Sequence, residues 1–230
     1  LGKKVGDLIL AGVIDGPMSN VPVLEVTSDG VRIGIPKGEI PPVAPVDLIL
    51  AMPRPKVMKR LWAPLASMGL HRITIIAAEQ VETCYFDSHA VTPEVYEPLL
   101  IEGLEQARDT RMPIVKIVKS FTWFAEKHLP VIEPDTTKLI GQPGADVSVR
   151  DAILPSPKLN RVVLAVGPEG GWTRGEIDTF QSCGFIPVGM RDRALRTDTA
   201  IVSLLALVYD TLETLHNGKR PAPGQGTRPT

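Results

Sequence analysis

The stretch RVVLAVGPEGGWTRGEIDTFQSCGFIPVGMRDRALRTDTA, residues 161–200, restricts the fold more than any other part of the chain. Val162 to Val166 is a continuous apolar run carrying three β-branched valines, the pattern of a strand buried on both faces. Gly167-Pro168-Glu169-Gly170-Gly171 then turns the chain. Thr173 followed by Glu176 has the spacing of a capping box, which predicts a helix running toward Cys183 and ended by Gly184. Phe185 to Val188 supplies a second strand, Gly189 to Leu195 a charged loop, and Thr197 or Asp198 the N-cap of another helix. Strand, glycine turn, helix, strand, loop, helix is the layout in which α/β sheets hold small ligands at the carboxyl ends of their strands.

The rest of the chain supports an alternating architecture. Asp7 to Val13, Val21 to Thr27 and Val31 to Pro36 read as short strands separated by Asp15-Gly16 and Asp29-Gly30 turns, which suggests a small β-barrel over residues 1–45. Pro41, Pro42 and Pro45 form a linker, and Val46 to Met52 starts a second domain running to residue 217. A helix is expected from Lys56 to Ser67, bent or ended by Pro64, then a strand over Arg72 to Ala77 and a helix over Pro93 to Arg108. Pro113 to Val118 and Lys138 to Gly141 read as strands and Trp123 to His128 as a short helix; Ala145 to Asn160 reads as an irregular connection. Strands alternating with helices predict a parallel sheet. After Thr197 the helix is apolar on both sides, with Ile201, Leu204, Leu205 and Val208 on one stripe and Val202, Ala206 and Leu207 on the other, so it wants two partners. Residues 218–230, rich in Pro and Gly, read as a disordered tail.

Composition narrows the function. With 230 residues, 43% hydrophobic and 22% charged, the chain has the make-up of a soluble globular protein of one or two domains, and no apolar run approaches the roughly 20 residues that span a bilayer. It begins Leu1-Gly2-Lys3-Lys4 without a signal-peptide pattern, which leads to the expectation of a trimmed start. Cys84 and Cys183 match no metal-ligand spacing, and buried free thiols in a reducing compartment are expected. His71, His89, His128 and His216 form no metal or nucleophile pattern, so surface or helix-end positions are expected. Neither a P-loop nor a G-x-S-x-G elbow occurs. A net charge of -1 argues against bulk nucleic-acid binding. Local basic clusters exist all the same: Arg54 and Lys56 with Lys59 and Arg60, Arg108 with Arg111, and Arg191 and Arg193 with Arg196. Each is a candidate RNA contact, a solvated surface being the ordinary alternative.

GPEGGWTRGEID, the following GFIPV, and ALRTDTA at this spacing resemble the RsmE family of the SPOUT superfamily, methyltransferases acting on a uridine N3 of 16S ribosomal RNA. SMGLHRI at Ser67 to Ile73 and LEQARDTRMP at Leu104 to Pro113 extend the likeness over most of the chain. The resemblance implies a SPOUT-type trefoil-knotted parallel sheet with helices on both faces, behind a PUA-like barrel that either binds RNA or props up the larger domain. It also implies S-adenosylmethionine as cofactor, the small ribosomal subunit or its 16S rRNA as partner, a homodimer sharing its site, no metal and no membrane. A cytoplasmic location follows, or an organelle with its own ribosomes.

On the same resemblance, the cofactor is held by the strand end at Ile140 and Gly141, the turn through Val166, Gly167, Glu169, Gly170 and Gly171, and the loop of Met190, Leu195 and Thr197. Met190 and Leu195 would flank the adenine. Methylating N3 requires removal of its proton. Arg196 stays charged and so cannot be the base, but it can stabilise the negative charge that spreads onto the uracil oxygens. Asp198 either accepts the proton or caps its helix, Glu169 either counters the sulfonium or fixes its loop, and Trp172 either stacks on a base or packs. Three departures from the family stand out: Asp198 in place of Glu, Met190-Arg191 in place of Leu-Gly, and Asp109 in place of Arg. Rival readings are a SPOUT methyltransferase with another RNA target and a non-catalytic RNA-binding or assembly factor.

Overall fold

A computed structural model describes residues 2, 4–155, 161–190 and 195–217 of the chain. The N-terminal part is a three-stranded antiparallel sheet of β1 (Leu8–Gly12), β2 (Met18–Val26) and β3 (Val31–Ile33), consistent with a barrel-like unit. It docks through Thr110, whose hydroxyl donates to the Gly16 carbonyl at 2.6 Å and whose carbonyl accepts from Asp15 N–H at 2.7 Å.

The larger part is a six-stranded sheet, parallel throughout, in the order β6-β5-β4-β8-β7-β9. Its strands are β4 (Val46–Ala51), β5 (Arg72–Ile76), β6 (Ile114–Val118), β7 (Thr136–Gly141), β8 (Arg161–Val166) and β9 (Ile186–Val188). The central pair, β4 and β8, is almost continuously apolar and buried, because helices cover both faces. On one face α1 (Pro55–Ser67), α2 (Pro93–Ala107), α4 (Val149–Ile153) and α6 (Thr197–Asn217) enclose a core around Trp62, Leu50, Leu164 and Leu205. On the other, α3 (Phe121–Lys127) and α5 (Arg174–Ser182) bury Phe124 and Phe180 against Ile49 and Ala165. From β4 the chain moves outward through β5 and β6, then returns on the far side of β8. That reversal opens a crevice at the carboxyl ends of the central strands.

Several local expectations need correction. Of the two outcomes expected at Pro64, an end to the helix does not occur: α1 runs to Ser67 as expected, and Pro64's own carbonyl accepts from Met68 N–H at 3.1 Å. The connection after Ala145 is not wholly irregular, because Ser148 caps α4 by accepting from Asp151 N–H at 3.1 Å. Cys84 is exposed rather than buried, and Cys183 is half-buried. His128 does sit at a helix end, but His71 pairs with Asp47 at the base of the sheet. The expected tail, residues 218–230, lies outside the described residues, as does the His216 side chain.

α1 and α2 approach so closely at Gly103 that a Cβ there would stand 2.2 Å from the Ala63 carbonyl oxygen and 2.8 Å from the Ala66 Cβ. Gly103→Ala is expected to force the helices apart at a cost of about 1–3 kcal/mol. A urea midpoint unchanged from the parent would show that the pair yields freely.

Candidate active site

The capping box of α5 is complete. Glu176 N–H donates to the Thr173 hydroxyl at 3.4 Å and the Glu176 carboxylate accepts from Thr173 N–H at 2.9 Å. Its other oxygen accepts from Glu79 N–H at 2.8 Å, in the segment after β5, so one buried carboxylate ties that segment to the glycine turn. Gly171 has φ of +78°, a conformation that disfavours any side chain. Gly167 is needed for another reason: a Cβ there would press on the Trp172 indole at 3.1–3.2 Å. Trp172 packs edge-on against Phe180, 5.1 Å between ring centroids, which favours packing over base stacking for this residue.

Three loops converge at the carboxyl ends of β7, β8 and β9 around a cavity of about 350 Å³. Of the residues expected there, Gly141, Val166, Gly167, Glu169, Gly170, Gly171, Met190, Leu195 and Thr197 line it. Ile140 does not; it is fully buried on the opposite face of its strand, against the α3 and α5 layer. Gly189, the first residue of the expected loop, lines it as well, and so do Gln142, Pro143, Ile177, Ala200 and Leu204, which only tertiary proximity reveals. The loops touch closely at Gly189, where a Cβ would lie 2.7 Å from the Ala145 carbonyl oxygen.

A second, more polar cavity of about 410 Å³ adjoins the first, sharing Glu169, Leu195 and Thr197 and adding Arg54, Arg196 and Asp198. Arg196 donates to Asp198 Oδ2 at 3.1 Å, and Arg60 from α1 reaches the same oxygen at 3.6 Å. The other oxygen, Oδ1, accepts from Thr199 N–H at 2.9 Å. Asp198 therefore clamps two guanidiniums across the start of α6, and Arg60, which the sequence groups with the basic cluster of α1, joins Arg196 there. Glu169 accepts from Arg54 N–H at 3.3 Å, placing a carboxylate at the positive end of α1 and fixing its own loop.

The other expected RNA contacts among the described residues, Lys56, Arg108 and Arg111, line neither cavity. Lys56 is exposed in the first turn of α1. Arg108 caps α2 in the left-handed conformation, and Arg111 donates from Nε to the Pro41 carbonyl at 2.6 Å, so both lie at the contact with the N-terminal part. Arg191 and Arg193 lie outside the described residues. Among the described residues no group of His, Cys, Asp or Glu is arranged to hold a metal, and no helix is long and apolar enough to cross a membrane.

Residues 40–209 match the model of a family described as RNA methyltransferase domain. The chain is 32% identical over 233 aligned positions to ribosomal RNA small subunit methyltransferase E of Treponema pallidum, covering 99% of this chain and 85% of that protein. It is 28% identical to ribosomal RNA small subunit methyltransferase E 1 of Borreliella burgdorferi, over 68% of this chain and 63% of the relative. Among solved structures, that of a ribosomal RNA small subunit methyltransferase E from Neisseria gonorrhoeae bound to S-adenosyl methionine superposes with a TM-score of 0.71. At 20% identity, it covers 90% of this chain and 84% of its own, and speaks to the fold.

Proposed function

Because the chain belongs to the RNA methyltransferase domain family, in the branch of ribosomal RNA small subunit methyltransferase E, we propose that it methylates N3 of a uridine in 16S rRNA with S-adenosylmethionine. The observation that carries this reading is the pair of adjoining cavities: one walled by backbone loops and apolar side chains, the other by arginines, with Glu169, Leu195 and Thr197 between them. The first falls within the range of roughly 300–1,000 Å³ usual for small-ligand pockets, and few charged groups line it. It suits a bulky cofactor held through backbone amides and flanked by Met190 and Leu195. When bound, the cofactor supplies an electrophilic methyl group.

The chain's own residues do the rest. Arg196, exposed over 73% of its side chain, is free to reach a nucleobase while Asp198 fixes its orientation. Its guanidinium stabilises the charge on the uracil oxygens as N3 loses its proton. Both Asp198 oxygens already accept bonds within the protein, which supports a positioning role for this carboxylate over that of proton acceptor. Arg54 and Arg60 line the approach for phosphates, with Lys56 beside them; Arg108, Arg111, Arg191 and Arg193 extend this assignment along the RNA.

On this reading residues 1–45 form an RNA-binding, PUA-like domain and residues 46–217 the catalytic one, with the cofactor loops closed in a trefoil knot. The half-exposed Val202 and Leu207 on α6 support a homodimer built on that helix. The reaction takes place where ribosomes are, in the cytoplasm.

Calorimetry with S-adenosylmethionine tests the reading: a saturable heat is expected, and no heat at millimolar cofactor would leave a non-catalytic RNA-binding factor. Gly189→Ala, which pushes a methyl against the Ala145 carbonyl, is expected to weaken that binding by about tenfold. An unchanged isotherm would mean that the loops do not shape the pocket.

A further inference from the structure

The opposite end of the sheet carries a site of its own. Strand register sets Asp47 beside Arg72 and Thr74 beside Lys116, and period-two alternation turns these side chains to the face covered by α3. Together with Arg161 at the start of β8, they floor a cavity of about 240 Å³ roofed by Phe124, His128 and Glu133. The volume is below that usual for nucleoside-sized ligands and suits one small anion.

Its charges do not cancel. Asp47 is already taken, accepting from Arg161 at 2.7 Å and paired with His71 at 3.0 Å. Arg72 and Lys116 have no anionic partner among the described residues, and Arg72 Nε is buried with nothing to accept its proton. Glu133 faces the cavity but forms no ion pair there among the described residues. A buried guanidinium N–H without an acceptor is costly, and an incoming oxygen would relieve it. The surplus is felt nearby: His128 is held below the usual imidazole range by its burial first, then by Lys116 and Arg72. Arginine offers a planar fork that matches phosphate oxygens, and lysine adds a point charge.

The geometry points to a phosphoryl-binding pocket on the α3 face of the sheet, held by Arg72 at the start of β5 and Lys116 midway along the edge strand β6 and separate from the loop cavities. Two sources share this chemistry, free inorganic phosphate and the backbone of an RNA strand running past the base of the sheet.

The test titrates inorganic phosphate, and separately a short single-stranded RNA, into the full chain at constant ionic strength. The His71 and His128 ring resonances report occupancy. A saturable shift with either ligand is expected, and Lys116→Gln should weaken it about tenfold. Saturation by phosphate assigns the free anion; saturation by RNA alone assigns a backbone phosphate. Lys116 is exposed, so its replacement leaves the fold standing, and Arg72→Gln provides the second variant. Shifts that stay linear with both ligands, or that Lys116→Gln does not alter, overturn the proposal. S-adenosylmethionine binding, measured alongside, should be unchanged in Lys116→Gln, so this pocket and the methyl-transfer reading fail independently.

Discussion

Arg196→Ala is expected to lower the rate of methyl transfer by about 10²–10³-fold while leaving the S-adenosylmethionine dissociation constant almost unchanged. The split follows from the position of the residue. Arg196 lines the polar cavity and not the loop cavity, and its nearest fixed partner is Asp198. It meets the cofactor site only through its neighbours Leu195 and Thr197. Its charge is useful only once the uracil begins to carry negative charge, so its loss should appear in turnover more than in binding. Arg196→Lys should recover only part of the rate, because a point charge replaces a fork held by a carboxylate. Equal losses in rate and cofactor affinity would move Arg196 into the cofactor site and end its assigned role.

Glu176→Ala is expected to have the largest effect on stability, about 2–5 kcal/mol. Only 3% of the residue is exposed, and its carboxylate accepts from the backbone N–H groups of both Thr173 and Glu79. Alanine leaves those donors without acceptors inside the protein and removes the link between the glycine turn and the segment after β5. That segment includes Gln80, which packs against Gly170, so cofactor binding should weaken along with stability. Glu176→Gln should fall between the two, since an amide offers one acceptor oxygen where two are used. Chemical denaturation of the three proteins measures this, and a loss under 1 kcal/mol for alanine would show that water or relaxation satisfies the donors.

These two residues also mark how far the sequence could be read. The capping half of Glu176 follows from its spacing to Thr173, and both of its bonds are present. Its bond to Glu79 joins residues 97 positions apart and depends on strand order, which no local pattern encodes. The glycine turn was legible because Gly and Pro punctuate a run of valines, yet the need for Gly167 lies in an indole that packs back onto it. The helix α4 went unread because five residues between proline-containing segments offer no periodicity, only a Ser148 cap. Arg60 reads from the sequence as a member of the basic cluster with Arg54, Lys56 and Lys59, a candidate RNA contact or a solvated surface, with nothing to pair it with Asp198. It enters the site only because α1 lies beside the start of α6, where Asp198 waits. The basic pocket on the α3 face is assembled from Asp47, Arg72 and Arg161, at or next to the starts of three strands, and Lys116, midway along a fourth; nothing along the chain groups them.

The central claim is that a methyl group passes from the loop cavity to a base held by Arg196. The most direct test incubates the protein with methyl-labelled S-adenosylmethionine and small ribosomal subunits lacking the modification, then maps the labelled nucleotide. Label confined to one 16S uridine, as N3-methyluridine, is the predicted result. Cofactor that binds while no RNA position gains label, or label on another atom of the base, would contradict it.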